Sequence, residues 1–391
     1  VPVNQQRAID LVMQLMAVPG KSCQERAIAM AVSDFLLKAG LPKSAIQFDT
    51  AHRKTPQPGE VGNLIVKLPG TVRKPRVMLS AHLDTVPICI GCQPTRVGAT
   101  IRSNDKNTSL NNDDRAGMAT VLIGLLETLE SGVAYPPLTL CFFVQEEIGL
   151  QGSRNLVASK LGKPTMAFNF DGGDPCKLTI GATGGERMTV RLRGLAAHAG
   201  LAPESGASAI HAAGLAIAAL HKQGWLGRVK KQRQLGTSNV GVIHGGSATN
   251  VVADLVEIQA EARSHDSQFR QAIADAMEQA FVAASAQVQS SNGTAVQAEV
   301  LRRVDYDSFR LPADSAAVRL AIQAIAEVGG EATLAVTDGG VDANWLVKHG
   351  IPTVTLGCGQ RHVHTKAETV DIPDFLRSCQ IARSLIAHAS R

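Results

Sequence analysis

Apolar positions recur at helical spacing over residues 3–18 and again over 24–39, predicting two amphipathic helices, the second stopped by Gly40 and Pro42. Asn63–Leu68 is a compact apolar run closed by Pro69 and Gly70, a strand. Arg76–Ser80 is another, and it leads straight into Ala81-His82-Leu83-Asp84-Thr85. Residues 88–110 make a long polar connection with turn signals and room for a hairpin. Connections of that length within a domain are often functional. Met118–Leu129 is apolar and periodic, the buried part of a helix over 115–131. Leu138–Val144 and Thr165–Phe170 are near-continuous apolar strands, ending in Gln145-Glu146-Glu147 and in Asp171-Gly172-Gly173. Strands without alternation, separated by helices, imply an α/β fold with a mostly parallel sheet covered on both faces. In such sheets ligands bind beyond the carboxyl ends of the strands.

The pattern changes at Arg187. Arg187–Arg193 alternates polar and apolar, as a half-exposed antiparallel strand does. A helix (208–222), strands at 237–243 and 251–263, a helix (268–287) and a strand (295–304) follow. The order β-α-β-β-α-β is that of a ferredoxin-like α+β module. It reads as an insertion, which gives 1–183 and 305–391 to the parallel-sheet domain and 184–304 to the module. Beyond it the parallel-sheet pattern returns. Ser315–Glu327 is a helix, Asp338-Gly339-Gly340 opens another over 341–349, residues 350–356 are a strand, and Pro373–Ala389 is a closing helix.

Composition narrows the function. The chain has 391 residues, 45% of them apolar and 19% charged, ordinary globular values that allow a large core. The net charge of +5 is spread out, and only 4% of residues are aromatic. The densest basic patch, Arg228, Lys230, Lys231 and Arg233, lacks interleaved aromatics and reads as a solvated loop or helix end, so no nucleic-acid partner is expected. No apolar run is long enough to cross a bilayer, and no membrane partner is expected. No leader is visible, which points to the cytoplasm, although the start at Val1 leaves leader removal open. Seven scattered cysteines do not form a disulfide framework. Cys89-Ile90-Gly91-Cys92 is a lone C-x-x-C, open to a redox pair, a metal clip or plain packing.

The chemistry gathers at element ends. Asn111-Asn112-Asp113-Asp114-Arg115-Ala116-Gly117 stands at a helix entry, where acids serve as caps and complement the helix dipole. Yet His82 and Asp84, Glu146 and Glu147, and Asp171 occupy successive strand ends, and His364 follows a later strand. Histidine with carboxylate suits zinc, and mixed sets with an open position are catalytic. The candidate ligands are His82, Asp113, Glu147, Asp171 and His364. If Asp113 is shared, two ions receive three protein ligands each, and a bridging hydroxide can act as nucleophile. Manganese or cobalt also suits this set. Asp84, two residues after His82, is placed to accept the free ring N–H of a metal-bound imidazole, or else to cap a turn. Of Glu146 and Glu147, one on the metal and one as general base is a natural division; two solvated acids is the bland alternative.

Together these stretches resemble the co-catalytic dizinc metallopeptidase family of peptidase T, carboxypeptidase G and the acetylornithine and succinyl-diaminopimelate deacylases. The matching pieces are Ser80-Ala-His82-Leu-Asp84-Thr, Asp113-Asp114-Arg115-Ala-Gly117, Glu146-Glu147-Ile-Gly149, Asp171-Gly-Gly and His364-Thr-x-x-Glu368. The resemblance implies Asp113 as the bridging ligand before a cis peptide, Glu147 as ligand and Glu146 as base. It implies that 184–304 is a lid or dimerisation domain, with a homodimer formed through it in many members. Ala197-His198-Ala199-Gly200 is similar to the family's lid histidine, a donor to the developing oxyanion. Gly245-Gly-Ser-Ala-Thr-Asn250-Val is similar to the peptidase T branch, which implies that Asn250 and Arg263 bind substrate. Members of that branch have Gly-Ala-Asp-Asp-Lys-Ala-Gly, whereas this chain has Asn111-Asn112 first and Arg115 for the lysine. The implied function is a dizinc aminopeptidase acting on short peptides. An N-acyl-amino-acid deacylase or carboxypeptidase is the alternative, and a binding protein without catalysis a third reading.

Overall fold

The computed structural model describes residues 2–390. Its packing divides into two units: the chain up to Gly181 with 310–337 and the chain from Val341, and 182–309 with 338–340.

The first unit begins with α1 (Gln5–Met16) and α2 (Arg26–Lys38). Asn4 caps α1 by accepting the Arg7 N–H at 3.1 Å, a bond that contributes about 1 kcal/mol. β1 (Ile46–Phe48), β2 (Leu64–Leu68) and β3 (Val77–His82) follow. The polar connection then folds as a hairpin of β4 (Pro94–Val97) and β5 (Thr100–Ser103). Next come α3 (Asn112–Ser131), β6 (Leu138–Phe143), α4 (Gln151–Arg154), β7 (Met166–Phe170) and β8 (Lys177–Ala182).

The second unit comprises β9 (Gly184–Arg193), α5 (Ala209–Lys222), β10 (Gly227–Lys231), β11 (Gln234–Gly245), β12 (Leu255–Ser264), α6 (Ser267–Gln287) and β13 (Gln297–Tyr306). The chain returns through β14 (Phe309–Arg310), α7 (Ala316–Glu327), β15 (Thr333–Thr337), α8 (Ala343–Lys348), β16 (Thr353–Leu356), β17 (Gln360–Arg361), β18 (Thr369–Asp371) and α9 (Ile372–His388).

The main sheet runs β1-β2-β6-β3-β7-β16-β8-β14, with β15 paired to β8. Its centre is parallel: β3 pairs with β6 and β7, and β7 with β16. These central strands are the apolar runs of the sequence, buried on both faces. The edges are antiparallel, β2 to β6 and β8 to β16, which the apolar runs alone did not indicate. α3 is apolar nearly all round because it is buried nearly all round, from Met118 to Leu126. Its Gly124 lets α9 come close: a methyl there would meet the Ala382 Cβ at 2.7 Å.

In the second unit the order β10-β11-β12-β9-β13 is antiparallel throughout. Without β10 it is the ferredoxin-like arrangement. β10 is a correction: Arg228, Lys230 and Lys231 lie on this added edge strand rather than in a loop or helix end. Val229 is buried between exposed neighbours, so a five-residue strand is hidden in a basic run. Met188, Val190 and Leu192 turn inward with Val256 and Ile258 against Phe269, Met277 and Phe281 of α6.

All seven cysteines are free, and six are buried. Burial pushes the Cys89 and Cys92 thiols up to about 12, and neither joins a metal-capable cluster among the described residues. Cys92 Sγ has two carbonyl acceptors for its one proton, those of Met16 at 3.0 Å and Leu110 at 3.1 Å. No helix among the described residues is long and apolar enough to cross a membrane.

Candidate metal centre

The parallel strands set the site. β6, β3 and β7 end at one edge of the sheet, so His82, Glu146 with Glu147, and Asp171 emerge together. Asp113 arrives from the start of α3 and His364 from the turn before β18. His82 Nε2 lies 3.0 Å from Asp113 Oδ1, and His364 Nε2 lies 3.2 Å from Asp113 Oδ2 and 2.9 Å from Glu147 Oε1. The ligand atoms of His82, Asp113 and Asp171 lie within 4.8 Å of one another, as do those of Asp113, Glu147 and His364. The two oxygens of Asp113 therefore face different imidazoles, and the five candidate ligands form two triads that share it.

Charge in this cluster is arranged for cations. Burial disfavours the charged form of His82, but the neighbouring Asp113 and Asp84 carboxylates raise its pKa well above the ordinary value. His364 is raised to about 10, chiefly by Asp113 and then by Glu147. Burial alone would raise Asp113, yet His364 and His82 hold it well below the usual range. Asp171 is pushed up to about 7 by burial and by Asp113. Two nitrogen and three carboxylate donors that draw positive charge so strongly fit a pair of divalent ions.

The neighbouring Asp113 and Asp114 separate cleanly. Both have non-helical backbone angles, and the peptide between them is cis. Asp114 Oδ1 accepts the Gly117 N–H at 3.0 Å, so Asp114 is the true cap of the helix. It also accepts the His82 N–H at 3.1 Å and the Gln360 Nε2–H at 3.0 Å. The capping reading thus fits Asp114, and Asp113 is the one of the pair whose carboxylate faces both imidazoles. Arg115 is fully buried and donates to the Leu83 carbonyl, with burial lowering its pKa to about 10.

Asp84 is placed differently from the expectation. The nearer partner of His82 Nδ1 is the Asp84 backbone carbonyl at 2.9 Å; the carboxylate is 3.6 Å away. That carboxylate instead accepts the Glu146 N–H at 2.7 Å, the Glu147 N–H at 3.2 Å and the Ser22 hydroxyl at 2.6 Å. It therefore fixes the backbone of both glutamates. Glu146 is raised well above the ordinary value, first by burial and then by Asp342, Asp171 and Glu147, with His82 opposing.

His198, Asn250 and Arg263 lie in the second unit. His198 is exposed, and its Nδ1 accepts the N–H groups of Gly200 and Leu201, both at 3.1 Å. Its ring proton therefore sits on Nε2. Asn250 is exposed, and its backbone carbonyl accepts the Ala199 N–H at 2.9 Å. Arg263 is already engaged: its Nε and one terminal nitrogen each meet Glu261 at 3.0 Å. Sequence reasoning missed the buried carboxylates behind the site, Glu25 and Asp342, and the role of Glu368. The signal for Glu25 and Asp342 was an acid at a helix entry, which is also the signal of an ordinary cap, and Glu368 appeared as a motif letter without a role.

Residues 78–388 match peptidase family M20/M25/M40. A tripeptidase from Staphylococcus aureus is 29% identical, with a TM-score of 0.89 and full coverage of both chains. The aminopeptidase PepT from Bacillus cereus is also 29% identical, with a TM-score of 0.85 and full coverage of both. Carboxypeptidase G2 from a Pseudomonas species is 28% identical over 339 residues, 83% of this chain and 76% of its own.

Proposed function

The chain belongs to peptidase family M20/M25/M40, and from that premise we propose that it is a two-metal aminopeptidase cleaving the first peptide bond of short peptides. The observation that carries the reading is the division of the Asp113 oxygens between His82 and His364, each imidazole with a further carboxylate beside it. His82, Asp113 and Asp171 would hold one ion, and Asp113, Glu147 and His364 the other. Zinc suits these donors best, and cobalt or manganese also fits. When bound, such ions polarise the scissile carbonyl and make water nucleophilic near neutral pH.

The side chains do the rest. Asp84 holds the Glu146 and Glu147 amides, so the two carboxylates leave adjacent residues in fixed directions. Glu146 takes a proton from the attacking water and delivers it to the leaving amine; its raised proton affinity suits both halves of that task. His198, with its proton on Nε2, is assigned as donor to the developing oxyanion. Asn250 and Arg263 are assigned to the substrate, Arg263 sharing its guanidinium with Glu261.

The likeness to the tripeptidase and to PepT favours a free amino terminus on the substrate. The likeness to carboxypeptidase G2 supports the second reading, a carboxypeptidase or N-acyl-amino-acid deacylase. Mass spectrometry of products from an unblocked tripeptide and its N-acetylated form separates the two. Release of the first residue from the unblocked peptide alone is expected; release of the last residue, or cleavage of the blocked peptide, overturns the assignment. Glu146→Gln should abolish turnover while metal content stays near two ions per chain. Full rate in that variant would remove Glu146 as the base.

A further inference from the structure

Behind the site one buried carboxylate commands the loop that carries Asp113. Glu368 is 2% exposed. Its Oε2 accepts the N–H groups of Leu110 at 2.8 Å and Asn111 at 3.0 Å, and the Ser109 hydroxyl. Its Oε1 accepts the Asp113 N–H at 3.1 Å. Three backbone amides of one short loop thus converge on a single anion, a nest filled by a side chain from about 255 residues away.

Glu368 comes one turn after His364. The two segments are stitched together elsewhere as well: Asn112 Nδ2 donates to the Thr369 carbonyl at 3.0 Å, and the single Ser109 hydroxyl proton has the Thr365 carbonyl, 2.7 Å away, as an alternative acceptor to Glu368. Residues 109–113 and 364–369 therefore form one cross-linked piece that carries both Asp113 and His364.

The triads depend on this piece unequally. His82 ends β3 and Asp171 follows β7, two interior strands whose positions the sheet fixes. Asp113 is steadied on its other side by Asp114, tied to the N–H groups of Gly117 and His82. His364 has no strand beneath it, a φ of +64°, and a side chain 47% exposed.

We propose that Glu368 is a positioning residue for one ion of the pair, the one assigned to Asp113, Glu147 and His364. This rests on the two-ion reading given above. Without the clamp, the turn bearing His364 loses its register against the Asp113 loop, while the His82–Asp113–Asp171 triad keeps its strand supports.

The test is metal binding rather than turnover. Chelator-stripped protein is titrated with Zn²⁺ against a chromogenic competitor, and bound zinc is counted after gel filtration. The wild type is expected to take up two ions. Glu368→Gln keeps the size of the side chain but turns an amide N–H₂ toward backbone donors. It should weaken one ion by about 10–100-fold, the usual effect of losing an outer support of a metal site, and leave the other within a few-fold. Ser109→Ala, which removes one donor and leaves three, should weaken the same ion by a smaller factor. If Glu368→Gln does not fold, as judged by circular dichroism, Ser109→Ala carries the test alone. Two ions at wild-type affinity in the folded variants, or equal weakening of both, overturns the proposal and leaves the two-ion reading standing. Fewer than two ions in the wild type overturns both.

Discussion

Glu25 offers the sharpest test of the electrostatics around this site. It is fully buried just before α2. Oε1 accepts the N–H groups of Cys23 at 2.8 Å and Gln145 at 3.1 Å, whereas Oε2 has no partner. Burial, and then the nearby Asp84, push its pKa from an ordinary 4.5 to about 8. The fold thus prefers the protonated form. With respect to this group the protein is most stable below about pH 4.5, loses stability as the pH rises toward 8, and carries the full penalty above that. Glu25→Gln is the matching perturbation, because the amide oxygen can keep both bonds of Oε1 while the N–H₂ replaces the unpartnered oxygen. At 1.36 kcal/mol per pKa unit, the neutral variant should exceed the wild type by about 1 kcal/mol at pH 5 and by on the order of 5 kcal/mol at pH 9. Urea unfolding of the metal-free proteins at the two pH values measures the difference. A gain of the same size at both would refute the reasoning, since a packing effect does not titrate.

Two further substitutions probe the frame and the chemistry. A Cβ on Gly117 would collide with the Phe170 carbonyl oxygen and the Asp114 carboxylate, so Gly117→Ala should cost about 3 kcal/mol or more, and an unfolding midpoint equal to that of the wild type would contradict the packing described. His198→Ala should lower kcat by about 100–1000-fold with KM changed only a few-fold, the pattern of a lost oxyanion donor; an unchanged kcat on a short peptide would remove that assignment.

Much of the fold was legible because its central strands are buried on both faces. Val77–His82 and Leu138–Phe143 are apolar runs for that reason, and their ends show where a ligand site falls. The antiparallel edges were not legible: β2 is an apolar run like the central strands, β8 opens on the exposed Lys177, and β15 is largely exposed and carries no core pattern. β10 hid because one buried valine among basic residues is a weak period-two signal. At the site, residue types pointed to the five side chains that gather in two triads, but direction did not follow from spacing. Asp84 stands two residues from His82, yet its carboxylate turns toward the glutamate amides and leaves the imidazole to its own carbonyl. The choice between Asp113 and Asp114 depends on which carboxylate meets the Gly117 N–H, a matter of backbone angles that residue identity does not carry. Glu368 was visible as a letter in a motif, but its partners lie in a loop some 255 residues earlier.

The order in which the ligands occur along the chain has a consequence for biosynthesis. On the assignment above, the donors of one triad have all been translated once Asp171 is made, whereas the other triad waits for His364, 193 residues later. A nascent polypeptide halted between those points would carry the donors assigned to one ion and lack His364 for the other. Hydrolytic competence would thus be withheld until the segment bearing His364 has left the ribosome.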